Sequence, residues 1–471
     1  MNLINKYSKF INRNKGITTL ISAILIHLLI GNIFTFSNLI PYYESYLHYA
    51  RNSSEIPLKK LNYIAPTGLL FNNALPSVTG FLDDILGTRL LIIIGSISLL
   101  VSNLIMYFTT SYFLMIISYI LFGFCGSLTY FQTLRNCWKY FPNKKGLISG
   151  IIFSCFGLSA FIFTGLGDLI ISKGSDLEKK NNYYCKETAM KYLNYLKFYI
   201  ICIIIMGTLS SILCFPYKED NNINNDNEET IINKGKEEEN YSDEIKEGNK
   251  KDNDNLTLKE SIFSLDFALC LTLAFCTLIF GFLLTNTYRV FGSRKKLNDS
   301  ALKALSLVFT LLNTFTRLLW GIIYDKFGFK IPYIIVCINQ IICGILIYPS
   351  SRYISTYFIV ACFGVLSFSG HVVLFPNLVQ NKFGVENSVN LLGICGIFVG
   401  ISSMVGPTII SNTEDFLKVY LIGVSPTVVS LIVTIFIKVD KLKKKVSIVY
   451  PQESESDQIV NNNLTKDASV N

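Results

Sequence analysis

The sequence predicts an all-α membrane protein of twelve transmembrane helices in two six-helix bundles, and three observations carry that reading. Apolar runs long enough to cross the hydrocarbon core of a bilayer as a helix recur along the chain, among them 17–40, 90–108 and 267–284. They fall into two groups of six on either side of a charged, asparagine-rich segment. One short Gly/Asp/Gly motif then recurs at the equivalent place in both groups.

Composition agrees with a membrane protein. Hydrophobic residues are 51% of the 471 and aromatic residues 13%, with a mean hydropathy of +0.42, which leaves too little polar surface for an ordinary soluble domain. The formal net charge of +9 does not point to nucleic acid, because the basic residues lie at the ends of apolar runs and in the tails, without an aromatic-laced basic patch. Most of the 12 cysteines, such as Cys125, Cys202, Cys270 and Cys395, lie inside apolar runs and form no CxxC pair. Neither a metal site nor a disulfide framework is expected, and no cofactor is. Lys6, Lys9, Arg13 and Lys15 precede the first apolar run as in a secretory signal. That run exceeds the core of such a signal and no small-residue cleavage site follows, so it is read as an uncleaved first span.

Taken in order, residues 1–16 form an N-terminal segment and 17–217 an N-terminal six-helix bundle with spans near 17–40, 62–83, 89–110, 112–134, 146–172 and 198–216. Residues 218–261, rich in Asn, Glu and Lys, hold too few apolar side chains to fold and are read as a disordered linker. Residues 262–437 form a C-terminal six-helix bundle with spans near 264–288, 302–324, 331–349, 354–377, 389–411 and 416–437, and 438–471 form a disordered tail.

The repeated motif is Gly80-x-x-x-Asp84-x-x-Gly87-x-Arg89 after the second span and Gly321-x-x-x-Asp325-Lys326-x-Gly328-x-Lys330 after the second span of the other half. Glycines suit a short hairpin where helices approach closely and the backbone must turn. A carboxylate there can accept hydrogen bonds from the exposed amides at a helix start.

With this motif in both halves, the sequence resembles the major facilitator superfamily, over essentially the whole chain outside the linker and tails. The resemblance implies two six-helix bundles around a central cavity, and a carrier, not an enzyme. Positive charge at Lys6 to Lys15, Lys144, Lys145 and Lys441 to Lys445 would put both termini and the linker in the cytoplasm, of a cell whose plasma or organelle membrane holds the protein. Arg294, Lys295, Lys296 and the Lys-containing loop from 173 to 191 fall on the opposite face and run against that orientation. Within the superfamily, Trp138-Lys139-Tyr140-Phe141-Pro142, Lys144-Lys145-Gly146-Leu147, Phe156-Gly157-Leu158, Asn313-x-x-x-Arg317, Trp320-Gly321, Phe383-Gly384 and Gly406-Pro407 look like the monocarboxylate transporters and the related oxalate/formate exchangers. The run that sugar porters place after the sixth span and the Gly-Pro pattern of drug antiporters are both missing, so sugars and drugs are not favoured.

Arg317 lies deep in the eighth span beside Phe315, Leu318 and Leu319. An arginine facing lipid there is costly, so it is expected to face a cavity or a partner. Its planar fork of donors matches a carboxylate and stays charged. The resemblance implies that Arg317 holds the substrate carboxylate; the competing reading pairs it with an acid or with backbone carbonyls. Proton-coupled relatives have an aspartate one turn before this arginine, where this chain has Asn313, which cannot carry a proton. A titrating group would then be Asp168, His27, His371 or Glu44. The span 389–411 holds no cation for a second carboxylate, which favours a monoanion. His27 and His371 are candidate substrate donors or relays, or packed hydrogen-bonding residues. Asn32, Thr35 and Asn38 form a polar stripe at helical spacing that either lines the pathway or joins helices.

The sequence therefore predicts a secondary active transporter of a small organic anion, most simply a monocarboxylate, with a proton or an exchanged anion as its second partner and the lipid bilayer as its surroundings. Two alternatives stay open. One is a carrier of amino acids or other small metabolites, in which Asp168 or Glu44 takes an ammonium group. The other is a receptor or scaffold that kept the fold without transporting.

Overall fold

The computed structural model describes residues 14–50, 61, 63–172, 179–180, 183–217, 257–412 and 415–437. The expected N-terminal segment up to residue 13, the linker from 218 to 256 and the tail from 438 lie outside the described residues, as does the side chain of Asn38.

The N-terminal half comprises α1 (Lys15–Ile30), which passes through a 3-10 turn (Gly31–Phe34) into α2 (Thr35–Ala50), then α3 (Ile64–Ala74), α4 (Pro76–Leu86), α5 (Thr88–Phe108), α6 (Tyr112–Tyr140), α7 (Lys145–Ser172), a short α8 (Lys186–Met190) and α9 (Tyr192–Leu213). Two two-residue strands, β1 (Lys179–Lys180) and β2 (Tyr183–Tyr184), pair antiparallel between α7 and α8. The C-terminal half comprises a short α10 (Leu258–Ile262), α11 (Leu265–Arg294), α12 (Asp299–Phe327), α13 (Lys330–Ser350), α14 (Ile354–Asn412) and α15 (Phe416–Phe436).

Ten segments among the described residues are long and apolar enough to cross a membrane. The expected second span is not among them because it is split: Pro76 lacks an amide hydrogen and opens α4 one residue after α3 ends. The expected tenth and eleventh spans count as one because α14 is helical on both sides of Gly384, whose φ of 81° and ψ of 165° break it. Packing against α11 shows that the chain reverses there. Tyr357 donates to the Tyr288 carbonyl, Phe383 packs on Phe267, and Ser402 Oγ then donates to the Phe275 carbonyl at 3.0 Å. Both arms of α14 thus run along α11, which restores the twelve spans of the sequence reading.

The reversals at Gly87 (φ 79°), Gly328 (φ 73°) and Gly384 share a backbone conformation that a Cβ disfavours, and the first two are the motif glycines. The end of the linker requires a correction. Residues 258–262 are helical, because Thr257 and Glu260 form a reciprocal capping box at the start of α10. The two hydrogen bonds that Thr257 donates to the Glu260 carboxylate hold it below the usual glutamate range.

Burial is that of a membrane bundle, apolar outside and mixed within. Along α13 the exposed face carries Ile335, Ile338, Ile342 and Ile345, while the buried face carries Val336, Cys343 and the polar Gln340. Gln340 Nε2 donates to the Thr277 carbonyl at 2.9 Å and to Thr427 Oγ1 at 2.7 Å. One large apolar cluster around Trp138, Phe153 and Tyr333 draws on both halves. A second around Phe291, Tyr357 and Tyr420 belongs to the C-terminal half.

The halves meet closely where α7 crosses α12. A Cβ on Gly146 would strike the Gly321 carbonyl, and one on Gly321 the Gly146 carbonyl, so only glycine at both positions lets the two backbones touch.

Candidate functional site

Arg317 sits near the middle of the apolar stretch 304–327 of α12. Two residues to either side, Phe315 and Leu319 are 57% and 56% exposed, whereas Arg317 is 4% exposed. A step of two residues turns a helix by about 200°, so these apolar side chains face lipid and the guanidinium faces inward. Its Nη1 donates to the Phe153 carbonyl on α7 at 2.7 Å, and its Nη2 donates to Asn313 Oδ1, one turn back, at 3.2 Å. Its Nε is buried without a hydrogen-bond partner. No carboxylate among the described residues pairs with it. A buried guanidinium held by neutral oxygens keeps its full charge available to an anion.

The surroundings come from both halves. Ser154 Oγ donates to the Thr314 carbonyl at 2.8 Å, and a Cβ built on Gly157 would lie 3.3 Å from Arg317 Nη1. Tyr130 on α6 is within electrostatic reach of Arg317 and stacks on Phe153, ring centroids 5.3 Å apart. His27 on α1 packs on the same Tyr130 at 5.0 Å. Arg317, Asn313 and His27 are therefore brought into one neighbourhood.

Other expected site residues lie elsewhere. His371 is buried inside the C-terminal half, its Nε2 2.9 Å from Gln340 Oε1 and its ring against Tyr333. Asn32 accepts from the Tyr195 hydroxyl at 2.9 Å. It borders a cavity of about 20 Å³ shared with Ser102, Asn103 and Tyr119 inside the N-terminal half, room for about one water. Asp168 is exposed and takes a hydrogen bond from Tyr42. It lies eleven positions beyond Gly157 on α7, or about 16 Å along the helix, too far to share a small zwitterion with Arg317.

The motif loops lie at one end of the bundle, about 12 Å along α12 from Arg317 at the Asp325 end. Asp325 Oδ1 and Oδ2 accept from the backbone amides of Gly146 and Leu147, each at 2.7 Å, so the carboxylate caps the start of α7 across the interface between halves. In the other half Asp84 instead accepts from Arg135 Nη2 at 2.7 Å. Arg135 also pairs with the buried Asp83 and donates to the Glu386 carbonyl at 3.2 Å, while Lys139 Nζ meets Glu386 Oε1 at 2.6 Å. Asp83, Asp84, Arg135 and Lys139 border a cleft of about 200 Å³ beside Gly87. Arg89 Nε donates to the Cys214 carbonyl at 2.8 Å, closing the C-terminal end of α9. Gly80 packs against Asn390, Gly321 forms the crossing with Gly146, Gly328 makes its turn, and Lys330 is exposed at the start of α13.

Sequence reasoning missed Asp83 and Glu386. The only signal for Asp83 was its place beside the motif aspartate, and Glu386 lies outside any repeat. The competing expectation for Arg317, a backbone carbonyl, is met by that of Phe153, a residue no side-chain pattern marks.

A model of the Major Facilitator Superfamily matches residues 19–407. The chain belongs to that superfamily. Membership makes it a transporter of the superfamily and not an enzyme. Among solved structures it is similar to the proton:xylose symporter XylE bound to 6-bromo-6-deoxy-D-glucose, at 13% identity and a TM-score of 0.65 over 89% of this chain and 95% of that one. A double-tryptophan variant of XylE matches at 14% identity and a TM-score of 0.66 over 88% and 94% of the two chains. At such identity the likeness is one of fold. No curated protein sequence matches.

Proposed function

We propose that this superfamily transporter carries a small monocarboxylate, bound at Arg317, by alternating access. The single observation behind this reading is a guanidinium 4% exposed, at the contact between the halves, with no carboxylate partner among the described residues. A bound carboxylate would supply the missing counter-charge and take donors now turned to the neutral oxygens of Phe153 and Asn313. One positive charge suits a monoanion. The separation of Asp168 from Arg317 weighs against a zwitterion held between them.

Rocking of one half against the other would open the contact of α7 with α12, and the motif loops would latch it. The motif-loop face, with Arg89, Lys144, Lys145 and Lys326, is then the cytoplasmic one. Asn313 accepts from Arg317 and carries no proton, so coupling to a pH gradient would need another group.

The test is uptake of radiolabelled lactate, pyruvate and formate into proteoliposomes, with and without an imposed pH gradient, for wild type and Arg317→Ala. Saturable uptake by wild type that falls to the level of protein-free vesicles in Arg317→Ala is expected. Absence of uptake of all three by folded wild type would overturn the reading.

A further inference from the structure

We propose that His27 is a specificity-determining residue, whose Nε2 accepts a hydrogen bond from a hydroxyl on the carbon next to the substrate carboxylate, so that the site selects 2-hydroxy acids. The inference rests on Arg317 as the carboxylate ligand and adds a second anchor from the other half. His27 Nδ1 lies 2.8 Å from the Ala23 carbonyl, one turn back on α1. A carbonyl only accepts, so Nδ1 carries the proton, and in the neutral imidazole Nε2 is left as the acceptor.

That acceptor is unmet. His27 is 0% exposed and its Nε2 has no hydrogen-bond partner. The Tyr130 carbonyl beside the ring can accept from Nε2 only when that nitrogen is protonated, so it pairs with the imidazolium and leaves the lone pair of the neutral ring unmet. A buried polar atom without a partner is costly in a folded bundle, and it recurs where a ligand completes the pairing.

Arg317 presents the complementary feature beside the same residues. Its Nε is also buried and unpartnered. Its Nη1 borders Gly157, the residue after Phe156, whose ring lies 6.4 Å from that of His27. The ring of Tyr130 packs on that of His27, and Tyr130 is within electrostatic reach of Arg317. Each half thus contributes one buried, unpartnered polar atom, the donor Arg317 Nε and the acceptor His27 Nε2.

A 2-hydroxy acid offers the matching groups on adjacent carbons, an anionic carboxylate and an O–H donor. An acid without the hydroxyl leaves Nε2 unpaired, and a 2-oxo acid brings a second acceptor toward it. Sites built to bond a hydroxyl reject the analogue that lacks it more strongly than apolar pockets reject an added methylene.

The experiment compares lactate, propionate and pyruvate as competitors of labelled lactate uptake in proteoliposomes holding wild type, His27→Leu, His27→Gln or Arg317→Ala. Wild type is expected to favour lactate over propionate by roughly tenfold or more, with pyruvate no better than propionate. His27→Leu should bring the lactate-to-propionate ratio close to one while propionate still competes. His27→Gln, which keeps an acceptor oxygen, should retain part of the preference and serves if the leucine variant does not fold. Equal affinity of wild type for lactate and propionate, or a preference that survives in His27→Leu, overturns the role of His27 while Arg317-dependent uptake still stands. Uptake independent of Arg317 overturns the carboxylate reading, and this inference with it.

Discussion

The two copies of the motif loop solve the same task with different chemistry. In the C-terminal half Asp325 spends both carboxylate oxygens on the amides of Gly146 and Leu147, at the open end of α7. In the N-terminal half Asp84 turns to Arg135, which also holds the buried Asp83 and reaches the Glu386 carbonyl. One latch rests on the partial charges of a helix end, the other on full charges taken out of water. A shared motif therefore fixes position and not energetics: a lost cap leaves neutral amides unpaired, whereas a buried pair cut in two strands a charge.

The largest expected effect follows from that difference. The Arg135 and Asp83 side chains are 5% and 3% exposed, so Arg135→Ala should cost about 3–5 kcal/mol by leaving Asp83 buried and unpaired. The midpoint of denaturant unfolding in detergent measures this. A cost no greater than that of Asp325→Ala would break the comparison.

Asp325→Ala should be milder, about 1–2 kcal/mol, the range of a lost helix cap. It should also act on the cycle, because the cap joins the two halves. Labelling of a cysteine introduced at Ser154, which bonds the Thr314 carbonyl across the interface, is expected to speed up from the motif-loop side. An unchanged labelling rate with normal folding would show that Asp325 serves stability alone.

Glu386→Gln should do least. Its carboxylate is 66% exposed where it meets Lys139, and exposed pairs contribute about 0–1 kcal/mol and weaken with salt. Its backbone carbonyl, which Arg135 uses, survives the substitution. A loss approaching that of Arg135→Ala would place the weight of this latch on the Glu386 side chain.

Much of the molecule was legible because the physics is local. The cost of polar groups in hydrocarbon writes the spans into the composition, and the motif glycines anticipate the positive-φ turns at Gly87 and Gly328. Helical spacing alone placed Asn313 one turn from Arg317, where the hydrogen bond forms. The expense of a lipid-facing arginine anticipated that Arg317 turns inward. The capping box at Thr257 and Glu260 was equally local, and charged surroundings hid it in the linker.

What the sequence by itself determined was the set of helices, their division into two halves, and the residue types able to hold an anion or cap a helix. Only the tertiary structure decided the partners. Arg317 meets the carbonyl of a residue 164 positions away, and Arg135 meets one 251 positions away. Packing set His371 against Gln340 and not beside Arg317, and brought His27 to the Tyr130 that Arg317 shares. The reason is geometric. A helix fixes which residues share a face within a turn or two, whereas the residues that meet across two helices depend on crossing points set by glycine contacts such as Gly146 with Gly321.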